Sequence, residues 1–161
     1  MAKIAVPEKY LDHWRRPWTR KAKYSPGFRL WLHKKGRLSP HFTYSEAACK
    51  DGTQIPRHLR TKARNHAFNL ERFRQELGGV SLPVMSWYRH PAYNRKIGGA
   101  SKSQHMSAVA TDFSRQTVDR IGRQKFFEVA NRVFKNGGVG DYPSGSAHVD
   151  SRGYFARWTS F

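Results

Sequence analysis

The sequence has a single cysteine, Cys49, among 161 residues. No intramolecular disulfide is possible, so the fold needs no oxidising compartment. A four-cysteine zinc site is excluded, and any metal must be held by histidine and carboxylate. No run approaches the roughly eighteen apolar residues of a membrane-spanning helix. Met1 to Tyr10 has no apolar h-region, which predicts that no secretion signal is present. Acidic residues are scarce, with 11 Asp and Glu against 30 Lys and Arg. The chain also lacks internal repeats and low-complexity tracts.

What is present is positive charge and aromatic mass. The net charge of +19 draws the surface to polyanions. Nucleic acid and the anionic polymers of a bacterial envelope both qualify, and composition does not choose between them. Hydrophobic residues make up 38% and aromatics 14% of the chain, which excludes a disordered tail. The length suits one domain with a short appendage and a real core.

Residues 1–40 are basic and aromatic, with Trp14-Arg15-Arg16-Pro17-Trp18 and Phe28-Arg29-Leu30-Trp31-Leu32. Pro17, Pro26, Gly27, Gly36 and Pro40 interrupt long elements. This pattern predicts an extended arm with short structured pieces whose aromatics pack on the body, leaving 41–161 as the main domain. Residues 57–77 read as a helix: Leu59, Ala63, Ala67, Leu70 and Leu77 form one stripe, with His66 and Phe73 at its edges. Arg57, Arg60, Lys62, Arg64 and Arg72 read as its solvated side. Val80 to Tyr88 reads as a strand, 89–107 as a polar loop, Ala108 to Phe113 as a second strand, and about 118–135 as a second helix stopped by Gly137-Gly138. Gly140 to Tyr142, His148 to Asp150 and Tyr154 to Trp158 read as short strands. The order predicts an α+β domain with a small antiparallel sheet and flanking helices.

A hydrolytic zinc site needs three protein ligands and one open position. His105, Asp112 and His148 are candidates. His105 and Asp112 are seven residues apart. On a straight helix that is about 10 Å, too far for one ion, and on a straight strand they would face opposite sides. A shared metal therefore requires a turn around Met106–Ala108, leading into a strand where Ala108, Ala110 and Asp112 share a face. The plainer alternative for such a pair is a surface histidine and a structural carboxylate.

Wider context bears on that choice. Ser86-Trp87-Tyr88-Arg89-His90-Pro91-Ala92-Tyr93-Asn94, Ile97-Gly98-Gly99-Ala100, Ser103-Gln104-His105 to Asp112, Gly140-Asp141-Tyr142-Pro143, His148-Val149-Asp150 and the earlier His41-Phe42-Thr43-Tyr44-Ser45-Glu46 together resemble one family. They look like the zinc D-alanyl-D-alanine carboxypeptidases and L-alanyl-D-glutamate endopeptidases, whose fold is shared with the hedgehog signalling domain. The resemblance runs from about residue 40 to 158. The subgroup ending in His-x-Asp is common among phage lysis proteins. The resemblance implies a hedgehog/DD-peptidase-like fold, Zn2+ on His105, Asp112 and His148, and bacterial peptidoglycan as substrate. It also implies that Arg89 faces the site, binding substrate or a developing oxyanion, with a structural salt bridge as its alternative. Ser103 is a further substrate-contact candidate.

The sequence departs from the family pattern at two places. Ala108 stands where the family usually has Gly, a residue that allows unusual backbone angles. Relatives often place Glu, Asp or His two or three residues before the last ligand; here Ser146 and Gly145 occupy those positions, and neither takes a proton from water near neutral pH. Asp150 is the leading candidate base, since it faces the same way as His148 in a strand; it could equally orient a ligand or simply pair with Arg152 or Arg89. Asp141 is the next candidate.

Three function classes follow. The first is an endolysin-type peptidase, accumulating in the host cytoplasm before lysis and held on anionic envelope polymers by its basic arm. The second is a non-catalytic phage structural protein on the same fold, with virion proteins as partners. The third is a nucleic-acid-binding module; the basic residues are dispersed and match no DNA- or RNA-binding motif, so no specific nucleic acid is expected.

Overall fold

A computed structural model of the chain describes residues 4–15 and 24–159. Arg16, Pro17 and Trp18 of the N-terminal pattern fall outside these residues. The helices are α1 (Leu11–Arg15), α2 (Pro26–Lys34), α3 (Tyr44–Ala47), α4 (Arg60–Glu76), α5 (Pro91–Lys96), α6 (Arg115–Ile121) and α7 (Arg123–Val133). The strands are β1 (Arg37–Ser39), β2 (Phe42–Thr43), β3 (Ala110–Phe113), β4 (Gly138–Asp141), β5 (Ala147–Asp150) and β6 (Ala156–Trp158). Single 3-10 turns occupy Glu8–Tyr10, Arg57–Leu59 and Gln104–Ser107. The architecture is α+β, as the sequence pattern predicts.

β1 and β2 form a small antiparallel pair. The main sheet has the order β3-β5-β4-β6; β5 runs antiparallel to both neighbours, and β6 joins β4 in parallel. One face of this sheet meets the helices. Ala63, Ala67, Leu70, Phe73 and Leu77 of the α4 stripe are buried in the main core with Phe113, Phe126, Phe134 and Val149. The ring of Phe73 lies 5.1 Å from Phe126 and 5.7 Å from Phe134, distances at which edge-on aromatic packing adds to area burial. The N-terminal aromatics form a second cluster, in which Tyr24, Phe28 and Leu32 pack with Phe68 of α4. Ser25 caps α2 by accepting a hydrogen bond from the Phe28 amide, and Pro26 occupies the first turn, where its missing N–H costs nothing.

Three sequence expectations are corrected. Val80 to Tyr88 is not a strand: it runs alongside β3 and forms a single bridge, Ser86 with Asp112. Pro83 offers no amide to a ladder. The loop at 89–107 contains α5 and a 3-10 turn; His90 caps α5 through its side chain and Pro91 opens it. The helix expected over 118–135 is two helices, broken at Gly122 with φ 94°. That backbone conformation is open to glycine and disfavoured for L side chains, so the chain turns there.

Candidate metal centre

The pleat of the sheet assigns its second face. Side chains alternate along a strand, so Thr111 and Phe113 of β3 point to the helices while Ala110 and Asp112 point away. In β5, Val149 joins the core and His148 and Asp150 face the other side. The register sets Asp112 directly opposite His148, and His148 opposite Gly140. β4 has room for this row because it carries glycines. A Cβ at Gly140 would run into the Trp158 ring, and one at Gly138 would run into the Asp150 carboxylate.

His105 arrives from the 3-10 turn before β3. The turn ends at Ala108, which adopts a left-handed conformation with φ 57° and ψ 25°. The chain reverses there, as a shared His105–Asp112 site requires. Ala108 takes the angles that glycine would take, so the departure from the family pattern does not alter the turn. The Trp87 indole N–H donates to the Ala108 carbonyl at 2.8 Å, and the Arg89 amide donates to the His105 carbonyl at 3.1 Å.

His105, Asp112 and His148 are all buried, and one ligand atom of each lies within 4.8 Å of the others. Nδ1 of His105 lies 2.6 Å from the Trp87 carbonyl oxygen. A carbonyl only accepts, so this nitrogen carries the proton, and Nε2 of the neutral ring presents its lone pair 3.2 Å from Asp112 Oδ2. His148 has a carboxylate at each nitrogen: Asp112 Oδ1 2.8 Å from Nδ1, and Asp150 Oδ2 2.8 Å from Nε2. Lone pairs and carboxylate oxygens thus converge on one buried point, an arrangement suited to a cation. The groups fit zinc: two imidazoles and a carboxylate, with the far nitrogen of each ring held by an acceptor.

Protonation follows the same geometry. Burial would raise the Asp112 pKa, but its close contacts with the His105 and His148 rings hold it well below the ordinary carboxylate range. Burial pushes the His105 pKa down against the pull of Asp112. Burial also opposes charge on His148, yet its two carboxylate neighbours raise its pKa overall.

A cleft of about 560 Å³ opens over His105, Asp112 and His148, walled by Arg89, Lys102, Ser103, Tyr142, Arg152 and Trp158 among others. The Arg89 guanidinium donates to Asp112 Oδ2 at 2.6 Å and to Ser86 Oγ at 3.2 Å. Among the described residues, Asp112 is the one carboxylate that lines the cleft. Asp150 is fully buried and sits behind His148, where Arg152 clamps it through Nε and a terminal nitrogen. Asp141 is not brought to the cleft. It is the residue after Gly140 and so points to the opposite side of β4, where it pairs with Arg123 and lines a separate hollow with Arg115 and Pro143.

Sequence reasoning gave no site role to four cleft residues, Lys102, Tyr142, Arg152 and Trp158, although Arg152 was weighed as a partner of Asp150. Tyr142 had a signal, since it follows Asp141 in the same motif. Its phenol is pushed up to about 12, chiefly by burial, and stays protonated. Trp158 had a signal too, in the closing Ala156-Arg157-Trp158 of the family resemblance, whereas Lys102 and Arg152 carry no local pattern that distinguishes them from surface residues.

The fold and this site define a metallopeptidase. The sequence profile of the peptidase M15 family matches residues 40–150. The chain belongs to that family, a family of zinc-dependent D-Ala-D-Ala carboxypeptidases. No curated protein matches the chain. Among the described residues, no helix is long and apolar enough to cross a membrane.

Proposed function

We propose that this zinc peptidase hydrolyses peptide bonds of the bacterial cell-wall stem peptide in an endolysin role, with peptidoglycan as its substrate. The observation that carries the proposal is the convergence of three buried donors beneath an open, basic cleft. His105 through Nε2, the Asp112 carboxylate and His148 through Nδ1 would hold the ion. When bound, zinc polarises the scissile carbonyl and lowers the pKa of a water. Trp87 and Asp150 fix the tautomer and tilt of the two rings. Arg89, already at the Asp112 carboxylate, stabilises negative charge developing on the carbonyl oxygen. Ser103 at the cleft wall contacts the substrate backbone. Arg89, Lys102 and Arg152 give the cleft the positive sign that suits the carboxylates of a wall peptide.

We also propose the division into a basic aromatic arm, 1–40, and a peptidase domain, 41–161. The aromatic cluster of Tyr24, Phe28 and Leu32 supports it, docking the arm on the domain through Phe68 of α4. Acting from the host cytoplasm at lysis, the enzyme would reach the wall with that arm against anionic polymers.

A second reading rests on one observation: among the described residues, the cleft holds no carboxylate besides Asp112, so none of them offers an acid free to take a proton. That pattern suits a virion or tail part which keeps the fold without turnover. Digestion of purified peptidoglycan, followed by mass spectrometry of the released muropeptides, separates the two. The peptidase releases new amino termini, loses activity in chelator and regains it with zinc, and His105→Ala and Asp112→Ala are inactive. Undiminished cutting by both variants would end the assignment, and absence of cutting by a fully zinc-loaded protein would favour the assembly part.

A further inference from the structure

Most ion-paired arginines in this molecule have a nearby acid: Arg72 and Arg132 share Glu76, and Arg89, Arg115, Arg123 and Arg152 each have an aspartate. One group is different. Arg29 of α2 faces Arg57, Arg60 and Arg64 across a cleft of about 670 Å³, with Pro26, Leu30 and His33 completing the walls. All eleven acidic residues of the sequence are among the described residues, and none lines this cleft. Among the described residues, none of the four arginines makes an ion pair or a side-chain hydrogen bond. Arg60 adds a sharper sign: its Nε is buried and has no hydrogen-bond partner, while its guanidinium lies 5.9 Å from the Tyr44 ring centroid. A buried donor left without an acceptor is costly, and four like charges around one hollow repel each other. An anion in the cleft would resolve both.

We propose that this cleft is a binding site for a phosphodiester chain that carries no bases, of the glycerol-phosphate type. Arg57, Arg60 and Arg64 follow one another along one side of α4 and the turn before it, spanning about 10 Å at helical rise; this is a ladder of planar forks suited to successive phosphates. No Trp, Tyr or Phe stands among the lining residues, and His33 offers the one small ring, whereas single-stranded nucleic acid sites depend on successive large aromatic platforms. The site is concave, bounded by α2 and α4, so it admits a chain more readily than a membrane plane. Leu30, 55% exposed, offers apolar contact to the carbon links between phosphates. The site is separate from the metal cleft and goes beyond the peptidase reading.

The test uses the full-length zinc-loaded protein and fluorescently labelled poly(glycerol phosphate), with binding followed by anisotropy at several salt concentrations. Short single-stranded and duplex DNA and phosphatidylglycerol vesicles are the comparison probes. The expected result is salt-sensitive binding to the polymer, tighter than to either comparison. Arg57→Gln with Arg64→Gln should weaken it by roughly tenfold or more, given the strength of charge-assisted hydrogen bonds. Lys50→Gln with Lys125→Gln removes equal charge from exposed positions outside the cleft and should change it less than about twofold. Hydrolysis of a soluble stem peptide should be the same in both double variants, so failure of this site and failure of the peptidase reading are read separately. Arg29→Gln, on the facing helix, checks the two-sided geometry if the double variant folds poorly. Equal loss in the two double variants, unchanged binding by Arg29→Gln, or tighter binding to DNA or vesicles overturns the proposal.

Discussion

The Asp150 carboxylate lies 2.8 Å from Nε2 of His148, on the side of the ring away from Asp112. A base would need to face the cleft, and Asp150 is instead enclosed by Arg152, the Gly138 amide and His148. Its place is that of a group which orients a metal ligand. Asp150→Asn should therefore weaken zinc binding by about 10- to 100-fold, measured by competition with a chelating dye. With saturating zinc, much of the activity should return. A variant that binds zinc normally but turns over poorly would instead make Asp150 the base.

Zinc and a proton compete for Nδ1 of His148. Burial alone would lower the pKa of this ring, but Asp112 and Asp150 raise it above the ordinary 6.5, so the metal-free cluster keeps its proton to a higher pH than a free histidine does. Zinc affinity should rise as pH climbs through that raised value and level off above it, with proton release on binding below it. Asp150→Asn removes one of the raising partners and should move the inflection down. Calorimetry in buffers of different ionisation enthalpy counts the protons; affinity that is flat across this range would contradict the geometry.

Ala108 holds a left-handed conformation that costs an L residue about 1–2 kcal/mol, while its buried methyl returns about 0.8 kcal/mol. Ala108→Gly should consequently leave stability within about 1 kcal/mol of the parent, a shift of about 2–4 °C in melting temperature at most, with zinc affinity intact. Ala108→Val adds β-branching at the same angles and should destabilise by more than about 2 kcal/mol. Equal tolerance of glycine and valine would show that the turn is not fixed as described.

His66 is fully buried between Ser151 Oγ at 2.7 Å and Thr111 Oγ1 at 3.0 Å. Burial, opposed by Asp150, depresses its pKa from 6.5 to about 3. The folded ring stays neutral while the unfolded one charges below 6.5, so the contribution is complete above 6.5. It is lost as pH falls toward 3, with a slope of up to about 1.4 kcal/mol per pH unit. His66→Gln should be less stable at neutral pH and show a flatter acid limb in denaturant titrations over that window. An unchanged slope would place the acid sensitivity elsewhere.

These particulars show what could be read from sequence. The α4 stripe was legible because a 3.6-residue period over a long segment leaves few alternatives, and its residues from Ala63 to Leu77 are buried as the period requires. The turn between His105 and Asp112 followed from their spacing only on the condition of a shared metal, which the family resemblance supplied. The break at Gly122 was not legible: Val118, Ile121, Val129 and Val133 maintain an apolar pattern across it, and a lone glycine is often carried inside a helix. Glu71 lies on the α4 helix that the pattern predicts, but nothing local shows that it is buried and accepts hydrogen bonds from Ser39 and the His41 amide. Those partners lie some thirty residues away, and no local window reveals them. The fate of Asp141 was hidden in the same way, since its partner Arg123 is on another element.

Strand β5 lies between β3 and β4, and Trp158 of β6 stands with its ring 5.0 Å from that of His148. His105 and Asp112 are therefore made well before the strand that completes their site and the indole that shields it. A nascent chain still held at the ribosome through residues 147–158 has neither an assembled sheet nor a metal pocket. The three candidate metal ligands therefore come together only once β5 and β6 have been made, and any shorter chain lacks the site.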